Sequence, residues 1–107
     1  MSFRAVFMED ADRDLAAVED YLVQFYANTA RKFFDNLKKK VLSLEDNPYL
    51  YPVYKENPYF RKMVFGDYLL FYAVEENRNL VVIHRIFHGS RDVSQQILES
   101  RQYPQEF

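Results

Sequence analysis

Residues 80–92, LVVIHRIFHGSRD, constrain this chain more than any other stretch. The run begins as nearly unbroken apolar and β-branched sequence, the composition of a strand buried in a core. It then places both histidines of the chain, His84 and His88, and two arginines, Arg85 and Arg91, within its last nine residues. Folding alone seldom puts groups that titrate or bind anions at the end of a core strand, so this end is a candidate site. Strand alternation predicts His84, Ile86 and His88 on one side and Ile83, Arg85 and Phe87 on the other.

A strand of this kind needs partners, and the rest of the chain supplies them. Residues 2–7 alternate apolar and polar character as a short strand. From Asp10 the period changes. Leu15, Val18, Leu22 and Phe25 define an amphipathic helix, with Asp10 or Asp12 as candidate N-cap. Asn28 or Thr29 can cap a second helix, whose stripe of Phe33, Leu37, Val41 and Leu44 runs on until Asn47 and Pro48 stop it. The short break after Tyr26 makes the pair an antiparallel helix hairpin. Residues 48–58, PYLYPVYKENP, hold three of the 4 prolines and read as a tyrosine-rich loop. Beyond it the period is that of strands. Residues 60–65 and 68–74 flank Gly66-Asp67, a two-residue hairpin signal, and residues 75–79 turn the chain into the run at 80–87. Asp92 can cap a last helix over 93–101. The prediction is one α+β domain over residues 1–107 with two layers: an N-terminal strand, the helix hairpin, a three-stranded antiparallel meander and a short C-terminal helix. The hairpin should cover one sheet face and leave the other less covered.

Composition excludes several chemistries. With 0 Cys in 107 residues there are no thiol nucleophiles, zinc-thiolate sites or disulfides. No apolar segment approaches the roughly 20 residues of a membrane span, and the first residues lack the pattern of a signal peptide, so a soluble cytoplasmic protein is expected. The formal net charge of −2 conceals acids clustered in residues 1–20 and a basic stretch, including Lys38, Lys39 and Lys40, in residues 31–40. Helix dipoles account for both clusters, and a solvated helix face explains the lysines better than a phosphate-binding patch. The 9 Tyr and 10 Phe exceed what so small a core needs and suggest a surface built for contact.

The candidate catalytic residues are His88, beside Gly89 where the backbone can turn, and Arg91. His84, inside the strand, reads as structural. Arg61 and Lys62 open the first meander strand and add positive charge to the same sheet. Two histidines among arginines and lysines have the groups for phosphodiester cleavage, with a base, an acid and cations on the phosphorane. Arg91 equally fits an ion pair with Asp92. His84 and His88 do not make a helical zinc pair, and with 2 Gly there is no phosphate loop, so neither metal nor cofactor is expected.

The sequence RKMVFGDYLLFY at 61–72, followed by HRIFHGSRD at 84–92, resembles the RelE/ParE superfamily of toxins from type II toxin-antitoxin systems, also called plasmid stabilisation proteins. The element order and length match over nearly the whole chain. The resemblance implies a small growth-inhibiting toxin held inactive by a cognate antitoxin, which wraps an extended or helical segment around it, and a homodimer or toxin-antitoxin hetero-oligomer as the assembly. RelE-like members cut mRNA on the ribosome with a basic cluster that includes an arginine after the tyrosine of the second meander strand and a tyrosine near the C-terminus. Here the first position is Leu69 and no tyrosine follows Arg91 until Tyr103, whereas Arg91 matches a further catalytic arginine. ParE-like members bind DNA gyrase, and they are more similar to this chain over 68–72 and 88–92. The resemblance therefore implies a gyrase-binding toxin, with Arg61, Lys62, Tyr68, Tyr72 and Arg85 as contact residues. The alternatives are a ribosome-dependent endoribonuclease using His88 and Arg91, and a non-toxic scaffold that only binds a partner.

Overall fold

In the computed structural model, residues 3–25 and 27–89 are described. The expected helix at 93–101, with Arg91 and Asp92, lies outside the described residues. Strand β1 (Arg4–Phe7) leads into helices α1 (Glu9–Val23) and α2 (Ala27–Asp46), and strands β2 (Arg61–Phe65), β3 (Tyr68–Glu75) and β4 (Leu80–His88) follow. Their order in the sheet is β1-β4-β3-β2. The meander β2-β3-β4 is antiparallel, and β1 lies parallel to β4 with Arg4 opposite Leu80 and Phe7 opposite Ile83. The parallel pair is possible because the helix hairpin intervenes between β1 and the meander, returning the chain to the sheet in the required direction. The α+β architecture is as the sequence predicts.

Sequence patterning explains most of the core. Ala11 on α1 and Leu37, Val41 and Leu44 on α2 pack against Met63, Leu70, Tyr72, Val81, Ile83 and Ile86 of the sheet. The helical stripe and the strand alternation thus meet in one layer. The expected caps are displaced. Met8 occupies the N-cap of α1 without a side-chain bond, while Asp10 and Asp12 sit in the first turn, where they complement the dipole. Likewise α2 begins at Ala27, which puts Asn28 and Thr29 inside its first turn.

The face of the sheet away from the helices is the less covered one, but it still carries a smaller buried cluster of Phe60, Phe71, Ala73 and Phe87, with Tyr54, Tyr59 and Leu69 against it. The proline-rich loop contributes to this cluster by curling back through short-range bonds, Tyr54 N–H to Phe60 O at 2.8 Å and Phe60 N–H to Asn57 O at 3.0 Å, so its aromatic residues lie on the sheet. The expected alternation in β4 is corrected. Phe71 faces Arg85, but its neighbour Tyr72 faces Ile83, so His84 is the extra residue of a β-bulge. The bulge reverses the phase of the strand. Ile83 and Ile86 therefore both enter the helix-side core, while His84 turns to the other face between Tyr59 and Phe60. His84 does not share a side with Ile86 and His88.

Candidate functional site

The end of β4 is set by local backbone geometry. Gly66 turns the β2-β3 hairpin at a φ of 58°, a conformation that costs most side chains roughly 1 kcal/mol or more. The Gly89 N–H donates to Asp67 O at 2.7 Å, fastening the exit of β4 to that hairpin. A Cβ at Gly89 would lie 3.2 Å from the same oxygen, tighter than ordinary contact. His88 is held beside this closure, exposed, with its ring edge-on to Tyr68 at 5.5 Å between centroids. Tyr68 in turn packs on Phe33 of α2 at 5.1 Å. Burial, followed by the proximity of Tyr21 and Asp67, raises the pKa of the Tyr68 phenol, so it remains a neutral hydroxyl at physiological pH.

Arg85 is pinned a few residues earlier. Its Nε and Nη2 donate to the two carboxylate oxygens of Asp14 at 2.8 and 3.0 Å, and the guanidinium lies 4.4 Å from the Phe87 ring centroid. Asp14 also accepts the Ile86 N–H at 2.9 Å. β1 pairs with β4 only as far as Ile83. Beyond that point the α1 carboxylate takes the place a neighbouring strand would occupy for Ile86. Nothing in the hydrophobic pattern of α1 singles out Asp14. The available signal is its position: an acid three residues after Ala11 and four before Val18, hence on the inward side of α1.

The remaining candidates form a separate group. Arg61 faces Tyr72 across the β2-β3 ladder, while His88 pairs with Tyr68. Four residues of strand, roughly 13 Å, separate those two β3 positions. Arg61 donates to Tyr51 O at 2.6 Å and lies over the Tyr49 ring at 5.1 Å, and Lys62 lies 5.6 Å from the centre of Tyr54. Tyr72 is fully buried and donates its hydroxyl to Pro48 O at 2.8 Å. Burial is the main cause raising its pKa. Arg61 and Tyr72 thus anchor the proline-rich loop, and any role for Tyr72 at a partner surface is indirect. Replacing Tyr72→Phe removes one buried hydrogen bond and leaves Pro48 O without that donor. The expected cost is about 1 kcal/mol, read as a lower urea midpoint with an unchanged slope.

Between the second half of α1 and the exit of β4 lies a cleft of about 540 Å³, lined by apolar Val18, Leu22 and Ile86 and by Tyr21, Asp67, Tyr68 and His88. At its rim, the lining residue Tyr21 packs on Phe25 at 5.1 Å, and the two are 58% and 57% exposed. So much exposed ring surface beside a cleft is the arrangement of a contact surface. Among the described residues no group of three or more His, Cys, Asp or Glu is placed to hold a metal. No helix among them is long and apolar enough to cross a membrane.

A four-stranded sheet with a helix hairpin on one face, formed from an initial parallel strand and a meander, is the fold of small toxins from toxin-antitoxin pairs. It superposes on the chromosomal ParDE system of P. aeruginosa with a TM-score of 0.69 at 19% identity, covering 81% of this chain and 96% of that one. A mutant E. coli RelE toxin in its free state gives 0.67 at 16% identity, covering 94% and 98%. The RelBE2 toxin-antitoxin complex of Mycobacterium tuberculosis gives 0.60 at 20% identity, covering 82% and 99%. No curated protein sequence matches the chain significantly. Residues 5–93 match the family described as the ParE toxin of the type II toxin-antitoxin system parDE, and the chain belongs to that family.

Proposed function

We propose that this toxin arrests growth by binding DNA gyrase, and that it does so without cutting nucleic acid. The supporting observation is how its cations are used: Arg85 is bound by Asp14, Arg61 by Tyr51 O, and position 69 holds Leu. Phosphodiester cleavage needs an acid, a base and cations converging on one phosphate. Here the described candidates form two groups well apart along β3, and only His88 with Tyr68 stands at the exit of β4. A surface that binds another protein needs no such convergence, and exposed aromatics beside a cleft suit it. His88, with Arg91 following in sequence, then forms a recognition edge. The proposed inhibitor of this edge in the cell is a cognate antitoxin, in keeping with the toxin-antitoxin complexes among the structural neighbours.

The reading predicts that induced expression arrests growth and that His88→Ala and Arg91→Ala each leave mRNA intact, as the unsubstituted protein does. Ribosome-dependent mRNA cleavage by the unsubstituted protein, lost in His88→Ala, would establish the endoribonuclease alternative instead. Normal growth at full expression of folded protein would leave only the partner-binding scaffold.

A further inference from the structure

The cleft beside α1 has a chemistry of its own. Tyr21 and Tyr68 supply two phenol oxygens that can accept hydrogen bonds, Asp67 supplies an exposed carboxylate, and Val18 and Leu22 supply apolar wall. Its only charged lining residues among those described are Asp14 and Asp67. Asp14 is already committed to Arg85 and the Ile86 N–H, whereas Asp67 has no ion pair among the described residues. A donor-only cation on an aliphatic stem complements all of these features together. Its methylenes would lie on the apolar wall and its charge would meet Asp67, beside the exposed Tyr21 ring.

We infer that this cleft is a docking site for an arginine side chain carried by an apolar segment of a protein partner. The planar guanidinium suits it better than an ammonium, because it can stack on a ring while donating in plane to phenol and carboxylate oxygens. The flanking apolar residues of the segment continue onto the exposed pair Tyr21 and Phe25, which extends the cleft along the end of α1. The inference rests on the toxin-antitoxin reading only for the source of that partner, the antitoxin.

The test is an amide chemical-shift titration of the full-length, isotopically labelled protein with acetyl-leucyl-arginyl-leucinamide, and with the glutamyl tripeptide as control. Shifts should cluster at Tyr21, Asp67 and Tyr68 with the arginyl peptide and be absent with the glutamyl one. Asp67→Asn and Tyr21→Ser, both exposed positions, should each weaken binding about threefold. Equal shifts with both peptides, shifts confined to another surface, or affinities unchanged in both variants would overturn the inference. Growth arrest tests the toxin reading separately. Arrest without arginine-dependent shifts overturns the docking site alone, and arginine-dependent shifts without arrest overturn the toxin reading alone.

Discussion

Replacing Asp14→Ala should destabilise the protein by roughly 3 kcal/mol, more than any other single polar substitution in the helix layer. Two losses coincide. Arg85, whose side chain is 18% exposed, loses a two-point ion pair, and the Ile86 N–H loses its acceptor. Removing one partner of a largely buried pair costs more than the pair itself contributes, because the remaining charge stays desolvated. Asp14→Asn should cost less, since an amide oxygen can still accept one of these bonds. Combining Asp14→Ala with Arg85→Leu should recover part of the loss, because the double variant leaves no uncompensated cation. Urea unfolding of the four proteins measures this directly. A loss below about 1 kcal/mol in Asp14→Ala would mean that solvent replaces the carboxylate and that α1 is not fastened to β4 as described.

Burial of His84 should make the fold sensitive to acid. His84 is 1% exposed, and neither ring nitrogen has a hydrogen-bond partner among the described residues. Its ring meets the edges of Phe60 and Tyr59 at 4.9 and 5.9 Å. The titratable groups around it are the Tyr59 phenol, which donates to Glu75 Oε2 at 2.7 Å, and that carboxylate. Burial lowers the pKa of His84 from 6.5 to about 4. The unfolded chain therefore takes up this proton at higher pH than the folded one. Stability from this group is complete above pH 6.5 and declines as pH falls toward 4. The full linkage amounts to about 3 kcal/mol. His84→Leu removes both the titration and two unsatisfied polar atoms. It should be as stable as the parent or more so at neutral pH and should lose less on acidification. Parallel stability-against-pH curves that never converge or diverge between pH 7 and 4 would show that His84 is accessible to water or protonated in the fold.

These two residues also mark how far sequence alone could reach. Periodicity located the described strands and both long helices, because the apolar stripe of α1 and α2 and the short strands of the meander each meet one core, whereas the single 3-10 turn at Glu76–Arg78 reads only as a turn. The parallel pairing of β1 with β4 is not visible in either strand, since it depends on where the hairpin returns the chain. The bulge at His84 is equally silent: every residue from Leu80 to Phe87 except His84 and Arg85 is apolar, and an apolar run carries no phase from which a reversal can be read. That reversal is why His84 and His88, two positions of equal parity, occupy opposite faces. Of the candidate site, His88 stands out in the sequence as a histidine before a glycine at a strand end, and Tyr68 enters through the family resemblance; the structure puts their rings in contact. Asp14, Tyr21 and Asp67 were not legible, because they lie on other elements and meet β4 only in three dimensions. Arg61 and Arg85 carried charge in the sequence, whereas the partners that occupy it, Tyr51 O and Asp14, belong to the fold.

Gyrase binding is the proposed mode of action of this ParE-family toxin. The most direct measurement is ATP-dependent supercoiling of relaxed plasmid by purified gyrase, titrated with this protein. Supercoiling should stop near stoichiometric toxin while a parallel ribosomal translation reaction leaves its mRNA uncut. Supercoiling that continues unchanged at a molar excess of folded toxin, with mRNA cut in the translation reaction, would contradict that mode of action.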